Sequence, residues 1–79
     1  MAEIKKLIED IAKSIVDKPD SVEVTEIDGE ENTVIEIRVA KEDLGKVIGK
    51  EGKTVRALRT ILAAASARIR RKAVLEIIE

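Results

Sequence analysis

Apolar side chains recur at Ile4, Leu7, Ile8, Ile11, Ala12 and Ile15, with Lys and Glu between them. That is the i, i+3, i+4, i+7 rhythm of one helix face, and it predicts an amphipathic helix over 3–16. Lys18-Pro19-Asp20 ends it, because proline disfavours helical geometry in the residue before it. The pattern then changes period. Val22 to Ile27 is rich in β-branched residues, and Thr33 to Val39 sets Ile35, Ile37 and Val39 on one side. Both read as strands, joined as a hairpin through a loop over 28–32 that begins Asp28-Gly29.

Helical spacing returns with Leu44, Val47 and Ile48, in a short helix whose N-terminus is suitably acidic at Glu42 and Asp43. Gly49 and Gly52 stop it. A longer helix begins near Lys53 and carries Val55, Leu58, Ile61, Leu62, Ala65 and Ile69 at helical spacing. Ile69 stays on the stripe, so this helix is expected to run on toward Arg70-Arg71-Lys72, a basic cluster that reads as a solvated turn. Ala73 to Ile78 is a last apolar strand. The order is αββααβ. A helical crossover joins the second and third strands, which makes them parallel neighbours. The fold class is α+β: a three-stranded mixed sheet with helices packed on one face.

Composition narrows the chemistry. The 79 residues contain no Cys, His, Phe, Tyr or Trp. That removes disulfides, zinc fingers, thiol nucleophiles, a Ser-His-Asp triad and any aromatic platform for stacking bases. Glu30-Glu31, Asp17 and Asp20 lie in turns without ligand-like spacing and read as solvated surface. No catalytic residue, metal site or cofactor is assigned, and no enzyme reading survives. Nothing resembles an export signal or a membrane-spanning run, so a cytoplasmic location is expected.

The net charge of −1 conceals a division. Residues 1–37 carry four cations and eleven acids, whereas residues 38–72 carry eleven cations and three acids. The basic part holds the informative motif, Gly45-Lys46-Val47-Ile48-Gly49-Lys50-Glu51-Gly52-Lys53-Thr54-Val55-Arg56. Glycine at both corners of the turn admits φ values that other residues resist, and it lets another backbone approach closely. The following helix offers its N-terminal N–H groups, and Lys50 and Lys53 add positive charge. Lys46 and Arg56 flank them. A nucleic-acid backbone suits such a corner. The ending Gly-Lys-Thr is not a Walker A loop, which needs four residues between its glycines; the first would fall at Val47.

Val47-Ile48-Gly49-Lys50-Glu51-Gly52, followed by apolar Val55 and Leu58, resembles the signature of the KH domain. The αββααβ order is that of the type II arrangement. The whole of residues 1–79 reads as a single KH domain similar to the small single-KH proteins of bacteria, the KhpA family. Ile11 to Asp17, Val22 to Glu26 and Glu42 to Lys46 share that family's wording. The resemblance implies binding of single-stranded RNA, about four nucleotides clamped along the loop. Gly49, Lys50, Glu51 and Gly52 would meet the sugar-phosphate backbone, with Gly45, Lys46, Lys53, Thr54 and Arg56 walling the groove. Arg38 and Arg59 are candidate secondary contacts, and Ile48, Val55 and Leu58 are assigned to the core. It also implies self-association or pairing with a larger KH-containing partner of the Jag type; the smooth Ala63-Ala64-Ala65-Ser66 segment is the surface that favours a dimerisation role. Three departures stand out: Glu51 puts an acid in the loop, Lys41 stands where proline is common, and no glycine precedes the last strand.

Overall fold

The structure, a computed structural model, describes residues 1–78. Helix α1 spans Ala2–Ile15, strands β1 and β2 span Glu23–Asp28 and Thr33–Arg38, and the five-residue helix α2 spans Leu44–Ile48. Helix α3 follows at Lys53–Arg68 and strand β3 at Ala73–Ile78. Single 3₁₀ turns at Pro19–Ser21, Lys41–Asp43 and Lys50–Gly52 make the corners. The sheet order is β1-β2-β3, antiparallel between β1 and β2 and parallel between β2 and β3, as the crossover requires.

Alternation along the strands decides which face is buried. Val24, Ile35, Ile37 and Leu75 point to one side, and α1 and α3 close over it with Ile4, Ile8, Ala12, Val55, Leu58 and Leu62. Ile8, Ile35, Ile37 and Leu62 are completely buried. With no ring available, these aliphatics carry the core, each contributing about 1.5–3 kcal/mol by leaving water. The helical stripes are wider than the faces that pack. Leu7 and Ile69 are on the stripes yet remain 42% and 46% exposed, Leu7 because it lies at the margin of its stripe and Ile69 because it falls past Arg68, the last helical residue of α3.

The hairpin loop is four residues, 29–32, since Asp28 still pairs with Thr33. Thr33 is fully buried. Its Oγ1 donates to Asp28 Oδ1 at 3.0 Å and accepts from Arg71 Nη2 at 2.7 Å, while Arg71 also reaches Asp28 Oδ1 at 3.1 Å. The Thr33 backbone N–H donates to the Lys72 carbonyl at 2.9 Å. This network ties the hairpin to the link between α3 and β3.

That link corrects the expected longer helix. α3 stops at Arg68, and Arg70 takes a left-handed φ of 56°. Its N–H donates to the Ala67 carbonyl and the Arg71 N–H to the Ser66 carbonyl, the paired bonds of a Schellman stop. The missing glycine is therefore missing from the position where a glycine would be unstrained. Arg70→Gly should stabilise the fold by about 1 kcal/mol, a rise of roughly 4–8 °C in a thermal melt of a domain this size. An unchanged or lower Tm would contradict the strain assigned to Arg70.

Candidate nucleic-acid interface

The corner between α2 and α3 is built by conformations that few residues adopt. Gly49 has φ 79° and ψ 167°, and Gly52 has φ 73°. Gly49 is sterically compelled as well, because a Cβ there would lie 2.2 Å from Thr54 Oγ1 and 2.8 Å from the Thr54 nitrogen. Thr54, half-buried on the first turn of α3, thus packs directly against the first corner. Between the glycines, Glu51 is itself left-handed at φ 57°, a conformation unusual for a residue with a side chain. Gly45 differs from the others: it lies in α2, exposed, with nothing within 4 Å of where a Cβ would stand.

The cations divide into anchored and free. Arg56 folds back on the loop, donating from Nε to the Gly52 carbonyl at 3.3 Å and from Nη2 to the Glu51 carbonyl. It braces the turn from behind. Lys46 is held by Asp17 at 3.1 Å and Asp43 at 3.7 Å. The Asp17 carboxylate, followed by Asp43, raises the Lys46 pKa above its ordinary value. Lys50 and Lys53 are exposed and have no ion-pair partner among the described residues. No side chain caps the N-terminus of α3 directly behind them. The corner thus presents two uncommitted ammonium groups beside an uncapped helix end, a favourable place for an anion.

Arg59 lies farther along α3, where it lines a shallow cleft with Leu62, Ala73, Val74 and Leu75 between the helix and the edge strand β3. The cleft runs along the same helix that starts at the loop. Arg38 is not brought to this corner. It is exposed at the end of β2, on the sheet face opposite the helices, and is engaged in a contact of its own. Val55 and Leu58 are core as assigned, but Ile48 is 39% exposed. It is the last residue of the five-residue α2, whose Val47 is the residue directed inward. The small-residue segment also divides: Ala63 and Ala64 are exposed, whereas Ser66 is buried beneath the helix.

Asp43 is the site residue that periodicity does not reveal. Spacing puts it at the exposed acidic start of a helix, yet it is only 1% exposed. Its carboxylate accepts the backbone N–H groups of Asp17 at 3.2 Å and Lys18 at 2.9 Å, fastening the exit of α1 to the entry of α2. Burial alone would raise its pKa. The two N–H donors, with the charges of Lys46 and Lys18, overcome that and hold the carboxyl below the usual carboxylate range. A depressed pKa contributes stability above the unfolded value, about 4, and that stability is lost as pH falls through the folded value. Wild-type Tm should therefore drop more steeply below about pH 4 than the Tm of Asp43→Asn. Parallel melting curves through that range would refute this role.

A family model described as KhpA/KhpB, KH domain, matches residues 5–77. A protein of Aquifex aeolicus called RNA-binding protein KhpA is 53% identical over 79 residues, covering 100% of both chains. One of the same name from Clostridium acetobutylicum is 49% identical over 75 residues, 95% of this chain and 100% of that one. Among solved structures, Aquifex aeolicus Era superposes with a TM-score of 0.62 at 20% identity, over 94% of this chain and 29% of Era. That likeness speaks to the fold alone. With nearly its whole length matched, the chain belongs to the KhpA/KhpB family of KH domains.

Proposed function

We propose that this protein binds single-stranded RNA, holding about four nucleotides across the Gly49–Gly52 loop and the adjoining α3–β3 cleft. The observation that carries the reading is the conjunction at one corner: two left-handed glycines, the uncapped start of α3, and the uncommitted Lys50 and Lys53. The relatives called RNA-binding proteins support it. Gly45, Lys46, Thr54 and Arg56 shape the corner, and Arg59 is placed to reach a strand leaving it. Bases in the cleft meet aliphatic side chains and the β3 backbone rather than rings, so affinity rests on backbone contacts and discrimination among sequences is mild. A post-transcriptional role as regulator or RNA chaperone, in the cytoplasm, fits a binder of this kind. Among the described residues no helix is long and apolar enough to cross a membrane.

Fluorescence anisotropy with a short single-stranded RNA across a salt series tests the proposal. The logarithm of affinity should fall against the logarithm of salt with a slope of about −0.7 per neutralised phosphate. A second reading, in which dimerisation or pairing with a larger Jag-type KH partner is the main role, has its own observation. Ile11, Ile15, Ala57 and Ile61 line an apolar groove between α1 and α3, and Ile61 is 39% exposed. The readings are compatible, because a four-nucleotide clamp gains useful affinity through multivalency. Concentration-dependent sedimentation with no anisotropy change on adding RNA would favour the second alone.

A further inference from the structure

The sheet face away from the helices holds nine side chains in three rows. Register sets Ile27, Val34 and Val74 side by side in one row, Thr25, Glu36 and Glu76 in the next, and Glu23, Arg38 and Ile78 in the third. Ile27 is 48% and Val74 40% exposed, so the first row is an apolar band open to water across all three strands.

Two features of this face are unfavourable in the isolated chain. β2 and β3 are parallel, and β3 reads Ala-Val-Leu-Glu-Ile-Ile, apolar on both sides except at Glu76. Parallel strands with that pattern are ordinarily covered on both faces, whereas α1 and α3 cover only one. Next to the apolar band, Glu36 and Glu76 are direct cross-strand partners, and neither has an ion-pair partner among the described residues. Like charges directly opposite one another destabilise a sheet. An apolar band beside two unneutralised carboxylates is complementary to one kind of ligand.

We propose that this face docks a cationic amphipathic helix of another protein, its apolar side chains on the Ile27–Val34–Val74 band and its Lys or Arg on the Glu36–Glu76 pair. The dimensions agree. A helix laid across the three strands, about 4.8 Å apart, covers the Ile27–Val34–Val74 row with about two turns, and the Glu36–Glu76 row lies about 6.6 Å to one side, two residues along each strand, within reach of Lys or Arg on the helix flank. A second copy of this chain fits poorly, because a two-fold axis through the middle row would bring each Glu36 and Glu76 onto its own copy. The Gly49–Gly52 loop belongs to the helical layer, so the two surfaces can be occupied together.

The test uses a synthetic helix of about 14 residues, built of Leu and Lys at helical spacing, titrated into the isotope-labelled full chain and followed by amide NMR. Shifts should cluster at Ile27, Val34, Glu36, Val74 and Glu76. Glu36→Gln with Glu76→Gln should weaken binding at least about ten-fold while raising the Tm of the free protein. A peptide with Glu in place of Lys should not bind. The proposal is overturned by shifts that map to the α1–α3 groove, by no saturable binding, or by equal affinity for the double variant. Concentration-dependent broadening of these same amides without peptide would assign the face to a second copy and overturn it equally.

Discussion

Lys50→Asp combined with Glu51→Asp should leave the protein folded and lower the affinity for single-stranded RNA proposed above by on the order of 100-fold or more. Both side chains are exposed, so neither change opens the core. Position 51 is left-handed, and Asp is among the residues that tolerate this region best. The electrostatic effect is large because it is concentrated. One uncommitted cation becomes an anion at the corner where α3 begins, two carboxylates then face the phosphates, and juxtaposed like charges cost several kcal/mol. The salt slope should shrink by about 0.7 for each phosphate that is no longer neutralised. Circular dichroism and a thermal melt check the fold, and anisotropy reads the affinity. An intact variant that binds RNA as well as wild type would remove the Gly49–Gly52 loop from the site.

Gly49→Ala has the largest expected effect on the fold itself. A methyl group there would overlap Thr54, and the φ of 79° with ψ of 167° lies in a region essentially reserved for glycine. The strain alone is about 1–3 kcal/mol. Relief requires α3 to move relative to α2, so the melt should show a loss of at least about that size. Gly45→Ala should behave in the opposite way. It fills open space on a helix and should stabilise the chain by roughly 0.5–1 kcal/mol. If RNA runs close over α2, the same variant binds more weakly despite its greater stability. Equal melting temperatures for the two alanine variants would contradict the geometry of the corner.

The elements are legible in the sequence because their periods are clean: β-branched strands, and stripes such as Ile4, Ile8 and Ala12 or Val55, Leu58 and Leu62. The parallel pairing of β2 and β3 follows from the crossover alone. The glycine corner is legible because two glycines bracket it. What escapes depends on partners distant in sequence or on residues in unaccustomed roles. Asp43 is buried only because the end of α1, 25 and 26 residues away, delivers two N–H groups to it. Arg70 occupies a left-handed slot where the family resemblance leads one to expect glycine, so α3 ends earlier than its apolar stripe suggests. Charge groups Lys46 and Arg56 with Lys50 and Lys53, and only geometry separates the anchored pair from the free one. The family resemblance puts Ile48 in the core, but neighbouring residues on a helix point about 100° apart, and in α2 it is Val47 that points inward.

The register of β3 also bears on how the chain folds. Thr33 pairs with Ala73, so the ladder that completes the sheet closes over 39 residues, while the β1–β2 hairpin closes over four. Non-local pairing is slow because the entropy of loop closure precedes any gain from contact. During synthesis, the hairpin and α1 can form early, but Ile35 and Ile37 lack a neighbour on the β3 side until Ala73–Ile78 has been made. The α3–β3 cleft is created by that same final step. Nascent chain short of β3 therefore has the glycine corner in sequence but not the cleft beside it.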